Sequence, residues 1–402
     1  MKNRLYCGDN LEILSTFENE SIDLIYIDPP FFSNRNYEII WGDEAEVRSF
    51  EDRWEGGINV YVDWMKQRVM ELHRVLKPTG SFYLHCDWHA GHYLKVMCDE
   101  VFGYNKLRNE IIWCYRGAGY PKKDFGKRHD TIFRYSKTND YLFNVDDVRE
   151  EYAEATKERF KHYIGNVRDG VNFGTQKLNP LGKHPDDWWQ IQPIAPSAKE
   201  RLGYPTQKPE ALLDRIIKAS SNKGDTILDA FCGCGTALAV SEKLQRKWIG
   251  IDISPSAIAL IKNRMSSFVR AGEDYEIIGM PQKVEDLKKF KPYEFQYWVT
   301  NEMHGSPSPR KSGDMGIDGF SFFEHCPIQV KQSENIGRNV IDNFETALRR
   351  YYKTEIRVMK GYIVAFSFGK GAYEEVARIK KENIEIELIK VQDILDKKFS
   401  IT

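Results

Sequence analysis

The chain has 402 residues, a formal net charge of -1, and 41% hydrophobic and 29% charged residues. This composition is typical of a globular protein, and the length favours two or three domains. No apolar run approaches the roughly 18 residues that a membrane-spanning helix needs. The first residues lead straight into a predicted strand without an apolar signal region. We therefore expect a cytoplasmic protein with no membrane partner, while a homodimer remains open.

The first region, about residues 1–104, alternates predicted strands and helices. Residues 21–27, with sequence SIDLIYI, are typical of a buried strand, and residues 60–76 have the periodicity of an amphipathic helix. Residues 77–80 contain Pro and Gly and predict a turn, after which residues 81–85 predict another strand. Strands that alternate with helices indicate an α/β fold with a mostly parallel sheet.

The second region, about residues 105–203, is rich in aromatic, basic and turn residues. The segments 117–121 and 179–182 interrupt any long periodicity, so we interpret the region as an insertion into the α/β domain. Its first part carries many more basic than acidic side chains, which could neutralise DNA phosphates. A solvated charged surface is the alternative for this stretch alone. The basic residues are Lys106, Arg108, Arg116, Lys122, Lys123, Lys127, Arg128, Arg134 and Lys137.

The alternation of helices and strands resumes after residue 205. Residues 209–220 and 237–244 predict helices, and residues 226–228 and 248–251 predict strands. Residues 1–275 therefore form one α/β domain of Rossmann-like type, split by the insertion. The charged segment 276–291 is interpreted as a linker, and residues 292–402 as a second, smaller α/β domain.

The segment Asp229–Thr236, with sequence DAFCGCGT, follows a predicted strand and precedes a helix. Its glycines Gly233 and Gly235 let the backbone approach a ligand and present N–H groups at the helix start. Asp252 ends the next strand, where a carboxylate often accepts hydrogen bonds from ribose hydroxyls. Alone, the loop leaves open a dinucleotide site, a methyl-donor site or a simple tight turn. Asp229 favours the methyl donor, because a carboxylate repels pyrophosphate and attracts an ammonium group.

The motif Asp28-Pro29-Pro30-Phe31 also ends a predicted buried strand. The two prolines restrict the backbone, so the Asp28 carboxylate and the Pro29 carbonyl become rigid acceptors. Two acceptors that bind both hydrogens of an exocyclic amino group favour its attack on a methyl group. Phe31 can stack on a base extruded from the duplex. A structural turn is the alternative for the motif in isolation, but it occurs together with the glycine loop.

Several further motifs accompany these two in a fixed order: residues 7–12, 74–83, 205–209 and 250–252. The set resembles the β class of DNA amino-methyltransferases, which methylate adenine N6 or cytosine N4. The resemblance implies S-adenosyl-L-methionine as donor and double-stranded DNA as substrate, with the insertion reading DNA. Asp rather than Ser at position 28 is more similar to the motif of the adenine-N6 enzymes, so the resemblance implies adenine N6 as the target, with cytosine N4 as the alternative. Donor-site residues implied by it or by the motifs above are Asp9, Gln207, Lys208, Pro209, Asp229, Phe231, Gly233, Gly235, Thr236 and Asp252.

The C-terminal residues carry a second constellation. Asp318 precedes a predicted strand, and Gln329 and Lys331 lie on the next one. Carboxylate and amide oxygens can hold Mg²⁺, and a lysine can orient water. The segment resembles the Mrr-like branch of PD-(D/E)xK restriction endonucleases, which implies Mg²⁺-dependent DNA cleavage with Asp318 and Gln329 as ligands.

We therefore expect a site-specific DNA methyltransferase fused to an endonuclease, as in restriction–modification. In the alternative, the C-terminal unit binds DNA or protein without catalysis. A nicotinamide-dependent dehydrogenase using the glycine loop is a third hypothesis, which S-adenosylmethionine binding without NAD binding would exclude.

Overall fold

The computed structural model describes residues 2–32, 36–41, 45–51, 57–117, 121–161, 165–175, 177–202, 204, 206–290, 292–303, 305–308, 316–321, 325–352, 358–396 and 398. For 36–41, 45–51, 165–168, 172–175, 293, 301, 306 and 307 it describes the backbone alone. Parts of the predicted segments 117–121 and 205–209 lie outside these ranges, namely 118–120 and 205.

The strands and helices alternate through most of the described chain. The strands are β1 (Asn3–Cys7), β2 (Ile22–Ile27), β3 (Asn36–Trp41), β4 (Ala45–Glu51), β5 (Leu76–Cys86), β6 (Leu107–Cys114), β7 (His129–Ser136), β8 (Gly165–Arg168), β9 (Val171–Thr175), β10 (Trp188–Gln190), β11 (Thr226–Asp229), β12 (Lys247–Asp252), β13 (Tyr275–Ile278), β14 (Gly305–Pro307), β15 (Gly319–Ser321), β16 (Pro327–Lys331), β17 (Met359–Ala365) and β18 (Ile384–Lys390). The α-helices are α1 (Asn10–Ser15), α2 (Ile58–Val75), α3 (Gly91–Phe102), α4 (Glu154–Arg159), α5 (Glu210–Ser220), α6 (Thr236–Lys243), α7 (Pro255–Met265), α8 (Val284–Lys288), α9 (Pro292–Glu302), α10 (Arg338–Tyr352), α11 (Lys370–Ile379) and α12 (Val391–Leu395).

The larger sheet has the order β10-β6-β7-β5-β2-β11-β12-β1-β13 within the described residues. Its strands pair in parallel except β7, which is antiparallel to β5 and β6. The predicted α/β fold with a mostly parallel sheet is therefore confirmed. Ile25 and Ile27 of β2 pack with α2 on one face of the sheet. Leu24 and Tyr26 pack with α5 on the other face, so β2 is buried on both sides, as its apolar run predicts.

Two interpretations of the α/β domain need correction. The segment 77–80, predicted as a turn, is the irregular first part of β5, where the pairing with β2 shifts register. The region 105–203 is not wholly an insertion, because β6, β7 and β10 extend the main sheet beyond β5. Their aromatic side chains Trp113 and Trp189 are buried in its core. The parts of this region outside the main sheet are the connections between these strands.

The C-terminal unit, residues 284–396, surrounds a five-stranded sheet of order β14-β15-β16-β17-β18. Strands β14 to β16 pair antiparallel, and β16 to β18 pair in parallel. Helices α8, α9 and α12 cover one face, and α10 and α11 cover the other. The segment 276–291 is not an extended linker: β13 pairs with β1 in the main sheet, and Leu287 of α8 is buried in the C-terminal core. In the described chain, no helix is both long and apolar enough to cross a membrane.

Candidate active site

The predicted site motifs lie at one edge of the main sheet. Strands β2, β11, β12 and β1 are parallel neighbours in that order, so their carboxyl ends meet at the same edge. Asp28 follows β2, Asp229 ends β11 and Asp252 ends β12. A cavity of about 620 Å³ opens there. The predicted residues that line it are Asp9, Asp28, Pro29, Pro30, Phe31, Lys208, Asp229, Phe231, Gly233, Thr236 and Asp252.

The Asp28 carboxylate has two oxygens in different situations. Oδ2 accepts a hydrogen bond from Nζ of Lys208 at 2.5 Å, while Oδ1 is buried with no hydrogen-bond partner among the described residues. A buried acceptor without a donor is costly, so Oδ1 is suited to a donor from a ligand. The motif is held from behind by the Tyr61 hydroxyl, which donates to the Pro30 carbonyl at 2.5 Å.

A buried polar network supports Phe31 from below. The rings of Phe31 and His85 lie 5.7 Å apart, centroid to centroid, and His85 is fully buried. Its Nδ1 is 2.8 Å from the Tyr26 hydroxyl, and its Nε2 is 3.2 Å from Oδ2 of Asp130. Burial alone would raise the pKa of Asp130, but hydrogen bonds from His85 and Tyr115 outweigh it and lower that pKa. No sequence pattern indicated this network, because Asp130 comes from a strand assigned to the insertion.

The loop after β11 requires glycine at two positions. Gly233 and Gly235 have φ values of 49° and 72°, in the left-handed region that favours glycine. A Cβ on Gly235 would lie 2.9 Å from Cγ1 of Ile261. Gly235 therefore shapes the start of α6 without lining the cavity, whereas Gly233 lines it.

Two carboxylates flank this loop. Burial raises the pKa of Asp229 well above its usual value, although the Phe231 amide donates to it and opposes the shift. Asp252 accepts from the amides of Gly233 at 2.8 Å and Ser254 at 2.9 Å. Burial nevertheless raises the pKa of Asp252 to about 6. A cationic group or a hydroxyl donor placed beside either carboxylate would therefore stabilise its ionised form.

Asp9 has a structural role that its motif did not indicate. It caps α1 by accepting from the Leu11 amide at 2.8 Å, and Arg68 pairs with its second oxygen at 2.7 Å. The Arg68 guanidinium is buried and lies 3.8 Å from the Trp64 ring centroid. Asp9 thus lines the cavity in a fixed orientation. An arginine within the apolar stripe of α2 was the available signal for this pair.

The segment after Tyr204 divides between the cavity and its support. Lys208 lines the cavity, but Gln207 and Pro209 do not. Gln207 ties its own loop together, since its Nε2 donates to the Glu200 carbonyl at 2.6 Å and its Oε1 accepts from Leu202. Pro209 precedes α5. Cys7 and Thr206, from the predicted motifs 7–12 and 205–209, also line the cavity. Lining residues that sequence reasoning missed include Trp64, Tyr204, Ile253, Pro281, Asp286, Lys289, Phe290 and Glu294.

The C-terminal candidates meet at the β15–β16 pair. Oδ2 of Asp318 accepts from the Val330 amide at 2.7 Å, which places the carboxylate beside the strand that carries Gln329 and Lys331. Oδ1 of Asp318 accepts from Nε2 of Gln296 on α9 at 2.8 Å. Gln329 is buried, and its Oε1 has no partner in the described part of the chain. An unpaired amide oxygen is of the ligand type that Mg²⁺ accepts.

Comparison with known proteins gives one family and many relatives. A family model described as DNA methylase, of the N6/N4 type, matches residues 22–263. The type II methyltransferase M.BglII of Bacillus subtilis is 28% identical over 323 residues, which cover 76% of this chain and 80% of that protein. The DNA adenine methyltransferase YhdJ of Escherichia coli (strain K12) is 32% identical over 260 residues, covering 64% of this chain and 81% of that protein.

Solved structures give weaker matches. The cytosine-N4-specific PvuII DNA methyltransferase has a TM-score of 0.47 at 20% identity, covering 70% of this chain and 96% of that one. A putative DNA modification methylase of Thermus thermophilus, complexed with S-adenosyl-L-methionine, has a TM-score of 0.44 at 20% identity, covering 69% of this chain and 99% of that one.

Proposed function

The chain belongs to the N6/N4 DNA methylase family, and from that premise we propose that it transfers a methyl group from S-adenosyl-L-methionine to the exocyclic amino group of a flipped base in double-stranded DNA. The observation that carries this proposal is the Asp28 carboxylate. One oxygen is fixed by Lys208, and the other is buried and unpaired in the described structure. Such an oxygen can accept a hydrogen bond from the target amino group.

The protein's own groups would act in three ways during transfer. The Asp28 carboxylate and the Pro29 carbonyl accept the two amino hydrogens, which directs the nitrogen lone pair toward the donor. The amino group loses one proton as it is methylated, and Asp28 is the acceptor in reach. The Phe31 ring, supported by His85, stacks on the base. S-adenosyl-L-methionine supplies an electrophilic methyl group on a sulfonium.

Two carboxylates of the cavity, Asp229 and Asp252, match the chemical groups of the methyl donor. Asp229 is buried beside the glycine loop with a raised pKa, so an ammonium group placed there would be paired and would return the carboxylate to its charged form. Asp252 ends the neighbouring strand β12 and would accept from the ribose hydroxyls. The two ends of the amino-acid nucleoside thus have matched partners.

Adenine N6 is the target that we propose, with cytosine N4 as the alternative. YhdJ, a DNA adenine methyltransferase, is 32% identical to this chain. The Asp at position 28 also resembles the motif of the adenine-N6 enzymes. Hydrolysing DNA after incubation with the protein and isotopically labelled S-adenosylmethionine tests this directly. We expect label in N6-methyladenine. Label in N4-methylcytosine would select the alternative, and label in neither nucleoside would overturn the proposed function.

Donor binding should depend on pH through Asp252. Hydroxyl donors favour the ionised carboxylate, so the affinity for 5′-methylthioadenosine should rise with pH through about 6, where the pKa of Asp252 lies, and level off above it. Below that pKa the affinity should fall by up to about tenfold per pH unit. Calorimetry between pH 5 and 8 measures the change. This probe lacks the amino-acid part, so it separates Asp252 from Asp229.

The Asp252→Asn variant is the control for this prediction. It should bind 5′-methylthioadenosine more weakly at pH 8 and lose the change near pH 6. An affinity of the unaltered protein that stays constant between pH 5 and 8 would rule out the assigned role of Asp252.

The DNA-facing surface is proposed on the loop between β6 and β7. Because β6 ends and β7 begins at the carboxyl edge of the main sheet, this loop lies on the same side as Asp28. Phe125 in it is 98% exposed, and Nζ of Lys127 lies 3.5 Å from the ring centroid of half-exposed Trp88. Basic and aromatic side chains on one surface suit phosphate contact and base stacking. The basic residues of the loop are Arg116, Lys122, Lys123, Lys127 and Arg128.

For the C-terminal unit we propose Mg²⁺-dependent DNA cleavage. Asp318 and Gln329 would hold the metal ion, which polarises the scissile phosphate, and Lys331 would offset negative charge there. The unpaired Oε1 of Gln329 supports this assignment. The alternative, a DNA-binding module without catalysis, is supported by Asp318, whose two oxygens each accept a hydrogen bond within the protein.

A further inference from the structure

The donor cavity has a wall that comes from outside the family-matched region. Asp286, Lys289, Phe290 and Glu294 line the cavity together with Asp252 and other residues of the α/β domain. The family model ends at residue 263, and β13, the last strand of the main sheet in the described chain, ends at Ile278. The wall residues therefore follow the α/β domain in sequence.

This wall is part of the C-terminal unit. Leu287 is buried in that unit's core, and the ring of Phe290 packs against the same core. The Gln332 side chain, next to Lys331, donates to the carbonyl of Phe290 at 2.7 Å and to that of Leu287 at 3.2 Å. The segment is thus attached to the end of β16, and its position is set by the C-terminal sheet.

Helix α9 packs the C-terminal unit against the glycine loop. Tyr297 of α9 is 6% exposed and packs with Cys234 of the glycine loop, and with Tyr204 and Leu260. Glu294 lies three residues earlier on the same side of the helix and lines the cavity. Burial, together with the nearby charges of Asp252 and Glu294, raises the pKa of the Cys7 thiol to about 12. Cys7 is the register partner of Asp252 in the β1–β12 pair, and both line the same cavity as Glu294.

We propose that the C-terminal unit supplies part of the subsite for the adenosine half of the donor, an inference that rests on the proposed function. Phe290 offers a ring to the flat face of adenine. Glu294 offers a carboxylate to the exocyclic amino group or a ribose hydroxyl. Asp229 and Asp28, by contrast, serve the amino-acid and methyl ends. The α/β domain alone would hold the donor with one wall missing.

Two variants and two probes test the proposal in the full-length protein. Phe290→Leu keeps an apolar side chain in the C-terminal core but removes the aromatic ring, and Glu294→Gln removes the charge. Each should weaken binding of 5′-methylthioadenosine and of S-adenosylhomocysteine by the same factor, about fivefold to tenfold. Lys288→Ala is the matched control, because Lys288 is exposed, pairs with Glu334 and does not line the cavity. It should bind both probes as the unaltered protein does.

The outcomes separate this proposal from the proposed function. If the unaltered protein binds neither probe, the methyl-donor site itself is wrong. If it binds both and the two variants bind equally well, the C-terminal unit does not contribute to the subsite. A loss for S-adenosylhomocysteine alone would overturn the placement at the adenosine end. Thermal melting checks the fold, and should Phe290→Leu unfold, Glu294→Gln still decides, since Glu294 is not part of the core.

Discussion

Replacing Asp28 by alanine is expected to abolish methyl transfer while leaving donor binding nearly unchanged. The carboxylate contacts the target amino group in the proposed reaction, and positioned acceptors of this kind contribute about 100-fold or more to rate. The donor's own carboxylate partners, Asp229 and Asp252, are untouched. Single-turnover transfer of labelled methyl to DNA measures the first effect, and calorimetry with S-adenosylhomocysteine measures the second.

Asp28→Asn makes the test more specific. The amide keeps one acceptor oxygen and the volume of the side chain, but it loses the negative charge that pairs with Lys208 and accepts the proton. We expect it to be nearly as inactive as the alanine variant. Asp63→Ala, which removes an exposed carboxylate from α2, should transfer methyl at the normal rate. Transfer near the normal rate by Asp28→Ala would refute the assigned role.

The part of the fold that was predictable from sequence is the part governed by local patterns. The largely apolar segment 22–27 is typical of a strand buried on both faces of a parallel sheet, and it is found there as β2. The glycine loop was recognisable because the left-handed φ of Gly233 and Gly235 restricts the residue type. Since both motifs end neighbouring parallel strands, their meeting at one edge followed from topology.

What sequence reasoning missed depends on partners distant in the chain. Strands β6 and β7 were assigned to an insertion because their aromatic and charged residues hide the alternation, although Trp113 is buried in the core. The contact of Lys208 with Asp28 spans 180 residues. The wall formed by Phe290 and Glu294 depends on how a second folding unit packs against the first. No local pattern encodes such contacts.

Two variants, Asp318→Ala and Lys331→Met, test whether the C-terminal unit cleaves DNA. If Asp318 and Gln329 hold Mg²⁺ and Lys331 offsets charge on the phosphate, each variant should lower plasmid cleavage by about 100-fold or more. Lys370→Met, which changes an exposed lysine on α11, should cut normally. The substrates are unmethylated and methylated supercoiled plasmid with Mg²⁺, and EDTA should stop the reaction.

Methyl transfer by the same variants serves as the internal control, because Asp318 and Lys331 do not line the donor cavity. Normal methylation with lost cleavage would assign the two activities to separate centres in one chain. If the unaltered protein cuts neither plasmid, or if Asp318→Ala cuts as well as it does, the unit is no nuclease of this kind. In that case the hydrogen bonds from Gln296 and Val330 to Asp318 are structural, and the result favours the alternative proposal of a DNA-binding unit without catalysis.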